Sequence, residues 1–69
     1  MKNFIITKEQ IETLRPFMPN IDELVNGELN DLEEAIKDEI MDALDDEWAD
    51  TKDSIILQRL FDEIFYQND

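Results

Sequence analysis

Residues 30–48, NDLEEAIKDEIMDALDDEW, carry the clearest periodic signal in this chain. Its apolar residues recur at intervals of three and four, and they are Leu32, Ile36, Ile40, Ala43 and Leu44. Because an α-helix turns by about 100° per residue, this spacing places them on one side of a helix. The sequence therefore predicts a long helix over residues 30–48 whose apolar side packs against another part of the fold.

The N-terminal part predicts a short helix that a proline ends. Thr7 and Gln10 are spaced as in a capping box, in which each side chain hydrogen-bonds the backbone amide of the other residue. Pro16 stops the helix, which then spans about residues 8–15. We expect the irregular turn that follows to direct the Phe17-Met18 pair into the core.

Weaker capping signals mark a second short helix and the start of the long one. Asn20 and Glu23 predict the start of a helix over residues 21–26. Gly27, the only glycine, is expected to end it in the left-handed conformation. The same Asn-x-x-Glu pattern recurs at Asn30, where the long helix begins.

The C-terminal part predicts an amphipathic helix over residues 52–66, capped by Asp50 or Thr51. Its apolar positions follow the i, i+3, i+4, i+7, i+8 pattern, and they are Leu57, Leu60, Phe61, Ile64 and Phe65. With Ile56 the apolar arc covers about half of the circumference, which indicates two neighbours, either two helices of the same chain or one helix and a second subunit. We expect residues 1–69 to form a single all-α domain. It is a small bundle of three to four helices, with the long acidic third helix packed against the C-terminal helix.

Composition restricts the classes of function. The 69-residue chain has 19 acidic and 6 basic side chains, no cysteine and no histidine, and a formal net charge of −13. Disulfides, thiolate chemistry, imidazole bases and the usual zinc sites are therefore excluded. Direct binding to nucleic acid or to anionic membranes is not expected, because both bind proteins through Lys and Arg. We expect a cytoplasmic protein, since cysteine is absent and no apolar run suits a membrane span or a signal peptide.

The acidic side chains concentrate on one side of the long helix. Residues 22–53 contain fourteen acids against Lys37 and Lys52. Five carboxylates lie within roughly 40° of the pole opposite the apolar side, with Glu39 and Asp46 flanking them. The five are Asp31, Glu34, Asp38, Asp42 and Asp45. They follow one another at about 5 Å, which approaches the spacing of about 3.4 Å between phosphates along one DNA strand.

These features predict a non-enzymatic protein, without cofactor or metal, that binds a basic protein surface. The partner-binding residues would be Asp31, Glu34, Asp38, Glu39, Asp42, Asp45 and Asp46. The most specific hypothesis is nucleic-acid mimicry, in which the protein inhibits a DNA- or RNA-binding protein or a host-defence nuclease, as small acidic phage or mobile-element inhibitors do. The alternative is a small adaptor, an antitoxin-like cap or a homodimer that acts through the apolar face of the C-terminal helix. In that case the acids only solubilise the chain.

Two other ligand chemistries have partial signals. The acids that follow the long helix could supply oxygen ligands to calcium, but no register provides the glycine of an EF-hand loop, so we expect only loose binding of divalent cations. Asp53-Ser54-Ile55 at a helix start is similar to the Asp-Ser-Leu site of acyl carrier proteins, whose serine carries phosphopantetheine. That family has two further helices after the serine, whereas fifteen residues follow Ser54. The alternative is that Ser54 satisfies amides in the first turn of the helix.

Two aromatic residues could serve either the core or an interface. Trp48 is expected to close the long helix as a core residue whose indole N–H reaches a carbonyl. Tyr66 falls on the polar side of the last helix, near Ile55 and Arg59. These residue types are common at protein interfaces, and they also occur on surfaces that bind nothing.

Overall fold

The computed structural model describes residues 4–69, and its helices follow one another as a simple bundle. They are α1 (Lys8–Leu14), α2 (Ile21–Val25), α3 (Leu29–Ala43) and α4 (Lys52–Gln67). α3 packs along α4, while α2 contacts α3 and α1 contacts α2. The expected all-α bundle is confirmed, including the packing of the acidic third helix on the C-terminal helix. None of the four helices combines the length and hydrophobicity of a bilayer-spanning segment.

One cluster of apolar side chains forms the core, and all four helices contribute to it. Its buried members are Ile6, Leu14, Met18, Ile21, Val25, Leu32, Ile36, Leu57, Leu60 and Ile64. Met18 is buried and Phe17 packs against the cluster, as the sequence predicts for the turn after α1. Leu57, Leu60 and Ile64 of the apolar arc of α4 are buried in this cluster and Phe61 packs against it, whereas Phe65 and Ile56, at the two edges of the arc, are exposed.

The predicted capping box begins α1, and it also connects α1 to the end of α4. The Oγ1 atom of Thr7 accepts the N–H of Gln10 at 3.1 Å, and Oε1 of Gln10 accepts the N–H of Thr7 at 3.0 Å. The buried Gln10 also accepts a hydrogen bond from Nε2 of Gln67 at 2.8 Å. Gln67 and Asn68 both donate to the carbonyl oxygen of Ile5. These bonds hold the N-terminal segment against the last turn of α4.

Arg15 braces the turn between α1 and α2. Its guanidinium donates to Glu12 at 3.3 Å and to Asp22 at 3.1 Å. The hydrogen bond from Arg15 lowers the pKa of the Asp22 carboxyl, with the positive charge as the second cause. The three side chains are exposed to solvent, where ion pairs contribute little to stability. This link joins the end of α1 to the start of α2 but contributes little to the stability of the fold.

The predicted side-chain caps of the two middle helices are wrong. Asn20 precedes α2 with ψ of 19°, outside the extended region from which a capping side chain reaches the helix amides, and it makes no such bond. α3 begins at Leu29, one residue too early for Asn30 to cap it, and Glu28 makes no side-chain cap either. Gly27 does not adopt the expected left-handed conformation. Its N–H donates to Leu24 O at 3.1 Å, so a tight turn ends α2 without a positive φ.

α3 ends at Ala43, so the predicted continuation of this helix to Trp48 is wrong. The next residue, Leu44, is extended, with ψ of 153°. A longer helix would place Asp45-Asp46-Glu47 in its last turn, where the negative end of the helix dipole opposes carboxylates. Aspartate is also a poor helix former. The accumulation of acids therefore disfavours a longer helix.

Candidate functional site

Four exposed carboxylates form a row along the solvent side of α3. They are Asp31, Glu34, Asp38 and Asp42, at intervals of three, four and four residues. On a helix this row extends over about 17 Å. The opposite side of α3 is anchored by Leu32 and Ile36, which are fully buried. The row is therefore carried by a helix whose orientation the core determines.

No ion pair within the described residues involves this row. The ion pairs recorded for residues 4–69 join Arg15 to Glu12 and to Asp22, away from α3. Lys37 is the one basic residue of α3, and its Nζ lies 5.5 Å from the centroid of the Phe61 ring on α4. This cation–π contact holds the ammonium group over α4. The row thus keeps its charge without an ion-pair partner in this part of the chain.

The structure separates the other three predicted binding residues from the row. Glu39 lies at its edge and is half-buried. Asp45 and Asp46 lie beyond the end of α3, in the connection to α4, and both are exposed. Four of the seven residues are therefore aligned on one helix, and the remaining three extend the acidic surface beside it and past its end. We call these seven residues the acidic face.

Asp45 organises the connection through its side chain. Its Oδ1 accepts the N–H of Glu47 at 2.8 Å and the N–H of Ala49 at 2.9 Å. The backbone of Asp45 adds a pair of bonds, since its N–H donates to Ala49 O and its carbonyl oxygen accepts the N–H of Trp48. This carboxylate therefore has a local structural role, in contrast to the four carboxylates of the row.

Trp48 is exposed at the tip of this connection. The prediction that it lies in the core is therefore wrong. Its side chain is 68% exposed, and its φ of 63° lies in the left-handed region, which bulky residues rarely adopt. The error follows from the helix end, because Trp48 would reach the apolar side of α3 only if the helix continued through Asp45. An aromatic side chain in this position is available for contact with a partner.

Ser54 is completely buried, which excludes the acyl-carrier function suggested by its neighbours in sequence. Its Oγ accepts the N–H of Thr51 at 2.8 Å and lies 3.1 Å from Oδ1 of Asp50, to which it donates. A prosthetic group cannot be attached to a hydroxyl that solvent does not reach. The interpretation of Ser54 as a residue of the first helical turn is confirmed.

The structure gives little support to other ligand chemistries. Within residues 4–69, no three acidic side chains are arranged to hold a metal ion. An open cavity of about 420 Å³ between α1 and α4 is lined by Thr7, Glu9, Gln10, Thr13, Leu60 and Glu63. Both threonine hydroxyls in it bond to the backbone of α1, Thr7 Oγ1 with the N–H of Gln10 and Thr13 Oγ1 with Glu9 O at 2.8 Å.

A second exposed surface lies on α4, on the side away from the core. Tyr66 and Ile55, which the sequence places on the same side of this helix, are 73% and 47% exposed. Ile56 is exposed as well, although its position next to the apolar arc suggested burial. The sequence signal for this patch is the presence of large apolar residues outside the main apolar arc.

Comparison with protein-family models, curated proteins and solved structures found no match to this chain.

Proposed function

We propose that this protein is a non-enzymatic binding protein whose acidic face occupies a basic surface of another protein. The observation that carries the proposal is the row on α3, four exposed carboxylates without a cationic partner among the described residues. The expected target is a cytoplasmic DNA- or RNA-binding protein, such as a host-defence nuclease. The acidic face would compete with nucleic acid for the Lys and Arg residues of that target, as phage or mobile-element inhibitors do.

The energetics of the row support a role in binding. Glu34 and Asp38 are one helical turn apart, as are Asp38 and Asp42, and each such pair of like charges destabilises a helix by about 0.2–0.5 kcal/mol. Solubility alone does not require this arrangement, since interleaved lysines would also solubilise the helix. A cationic partner would turn the unfavourable repulsion into favourable pairing. The row therefore makes physical sense in a complex.

The rigidity of α3 also favours recognition. Because the buried side of the helix packs in the core, the backbone that carries the carboxylates needs little ordering when a partner binds, and this reduces the entropy lost on association. Their mean separation is about 5.5 Å along the helix axis, wider than the phosphate spacing of about 3.4 Å on one DNA strand. Asp45 and Asp46 add charge at the end of the row. The acidic face would therefore resemble DNA in the sign of its charge and in its length, at a lower charge density.

The second candidate function is an adaptor or an assembly that acts through α4. The exposure of Ile55, Ile56 and Tyr66 favours it. The apolar arc first considered for this role packs largely into the core, through Leu57, Leu60 and Ile64. Phe65, at one edge of that arc, is 48% exposed, and the opposite side of the helix is exposed as well.

A competition experiment tests the proposed function. The protein is immobilised and used to capture binding proteins from a host-like lysate at low salt, with and without added DNA. We expect a basic nucleic-acid-binding protein that DNA or salt displaces, because screening weakens exposed charge pairs. The double variant Asp38→Lys/Asp42→Lys should bind it about tenfold or more weakly.

The matched control reverses two exposed acids outside the acidic face, Glu9→Lys and Glu23→Lys. Both double variants have the same net charge, so a partner that senses only total charge would lose affinity for both equally. Equal losses, or a captured protein that DNA does not displace, would contradict the proposal.

A further inference from the structure

The side of α4 that faces away from the core differs in charge from the rest of the chain. We call it the outer face, and its members are Lys52, Ile55, Ile56, Arg59, Asp62, Glu63 and Tyr66, all of which are exposed. Glu63 lies at the edge of this face toward α1, where it accepts a hydrogen bond from Gln10 at 3.3 Å. Two cations and two carboxylates balance there, in a protein whose formal net charge is −13. Neither Lys52 nor Arg59 has an ion-pair partner among residues 4–69.

This balance makes the outer face suitable for contact between two copies of the chain. Two molecules of this net charge repel one another, and the repulsion is strongest where acidic surfaces approach. The outer face brings no net charge to the contact. It also carries three large apolar side chains, which a second copy can cover with a gain in free energy.

Five residues of the outer face form one line along α4, which we call the seam. Lys52, Ile55, Arg59, Asp62 and Tyr66 follow one another at intervals of three, four, three and four residues. Alternating steps of three and four keep residues on one side of a helix. Three of the five residues are charged, so the seam differs from the apolar a and d seam of a coiled coil, and charge pairing decides how a second copy docks on it. The buried side of α4 has its own apolar positions, so this helix presents two separate seams.

The sequence of the seam selects an antiparallel partner. In an antiparallel pair centred between Leu60 and Phe61, Arg59 lies level with Asp62 of the second copy, and Ile55 lies level with its Tyr66. The two-fold symmetry repeats both contacts, as an isologous interface requires. A parallel pair would instead place Arg59 against Arg59 and Asp62 against Asp62, which like-charge repulsion disfavours.

We propose that a second copy of this chain docks on the outer face, with the two α4 helices antiparallel and Arg59 of each copy paired with Asp62 of the other. α4 has 16 residues and a length of about 24 Å, so the interface is smaller than the typical 1,600 Å² or so of stable complexes. The dimer is therefore weak and concentration-dependent. It leaves the row on α3 free on both copies, so it is compatible with binding of a basic partner and does not depend on it.

Salt distinguishes this dimer from the complex with a basic partner. Screening weakens both the Arg59–Asp62 pairs and the repulsion between two chains of charge −13, and the repulsion involves many more charges, so added salt should on balance strengthen the dimer. The same salt should weaken a complex between the acidic face and a basic surface. The two proposals therefore predict opposite responses to salt, and an experiment can contradict one without contradicting the other.

Sedimentation equilibrium of the full chain, over a range of protein and sodium chloride concentrations, tests the dimer. Arg59→Asp and Asp62→Arg should each weaken it about tenfold, because each creates like-charge contacts at two symmetric positions. The double variant restores the pairs with the charges exchanged and should dimerise like the original chain. Circular dichroism checks that the variants, all at exposed positions, remain folded.

Asp38→Arg on α3 is the matched control, since it changes the net charge by the same amount as Asp62→Arg. Lower net charge alone should strengthen the dimer in this control. If Asp62→Arg dimerises as strongly as the control, the proposed antiparallel pairing of Arg59 with Asp62 is wrong. A monomer at all concentrations and salt levels would overturn the dimer itself.

Disulfide trapping reports the orientation, because the chain has no cysteine of its own. An equimolar mixture of Ile55→Cys and Tyr66→Cys should form the mixed disulfide under mild oxidation. Each variant alone should form much less of its own disulfide, since an antiparallel pair holds the two identical positions at opposite ends. Efficient trapping of each variant alone would indicate a parallel pair and contradict the proposal.

Discussion

Thr51 connects two helix ends with one hydroxyl group. Its Oγ1 donates to Ala43 O at 2.6 Å, which satisfies a free carbonyl at the end of α3. The same oxygen accepts the N–H of Ser54 at 3.2 Å, and Ser54 completes the capping box of α4. This residue therefore ties the acidic helix to the helix against which it packs.

Replacement of Thr51 by alanine should lower the free energy of unfolding by about 1–2 kcal/mol, because a helix cap and a carbonyl partner are lost together. Thr51→Ser keeps the hydroxyl and should recover most of this loss. Urea denaturation followed by circular dichroism measures both. Equal stability of the alanine and serine variants would show that the hydroxyl has no such role.

At the scale of the element, the acids of α3 have opposite effects at its two ends. Asp31 lies in the first turn, where a carboxylate interacts favourably with the positive end of the helix dipole. Asp42 lies in the last turn, near the negative end and one turn after Asp38. The helix keeps unfavourable acids at its C-terminal end, which is the expected pattern if binding and not stability determines their position.

Asp42→Lys should therefore stabilise the fold by about 0.5–1.5 kcal/mol, since it relieves repulsion by Asp38 and complements the dipole. Asp31→Lys changes the net charge equally and should destabilise the fold. Thermal unfolding of the two variants at equal ionic strength separates position from total charge. Similar shifts in both variants would mean that only the net charge matters.

For the whole molecule, the net charge of −13 opposes the compact state, because folding brings the carboxylates closer together. The radius of gyration of 11.7 Å is comparable to the Debye length of about 10 Å at 0.1 M salt. Charges on different helices therefore interact appreciably at low salt and are screened at higher salt.

Stability should accordingly rise with sodium chloride below about 0.3 M, by about 4–8 °C in melting temperature for each kcal/mol of repulsion removed. Potassium chloride should act equally, because the effect is screening and not a specific cation site. Melting curves recorded at low protein concentration, where dimers do not contribute, provide the measurement. A melting temperature that does not change with salt would contradict this account.

Residue spacing along the chain was enough to predict the helical class, most of the inward side of each long helix, the capping box at Thr7 and the concentration of acids on α3. These properties follow from local rules, because helical periodicity and capping involve residues within a few positions of one another. Tertiary structure decided that α3 ends at Ala43, that Trp48 is exposed and that Ser54 is buried. It also turned Lys37 toward Phe61, which leaves the acidic row without an ion-pair partner in residues 4–69. These outcomes depend on contacts between α3, α4 and their connection, and hydrophobic spacing along one helix carries no information about them.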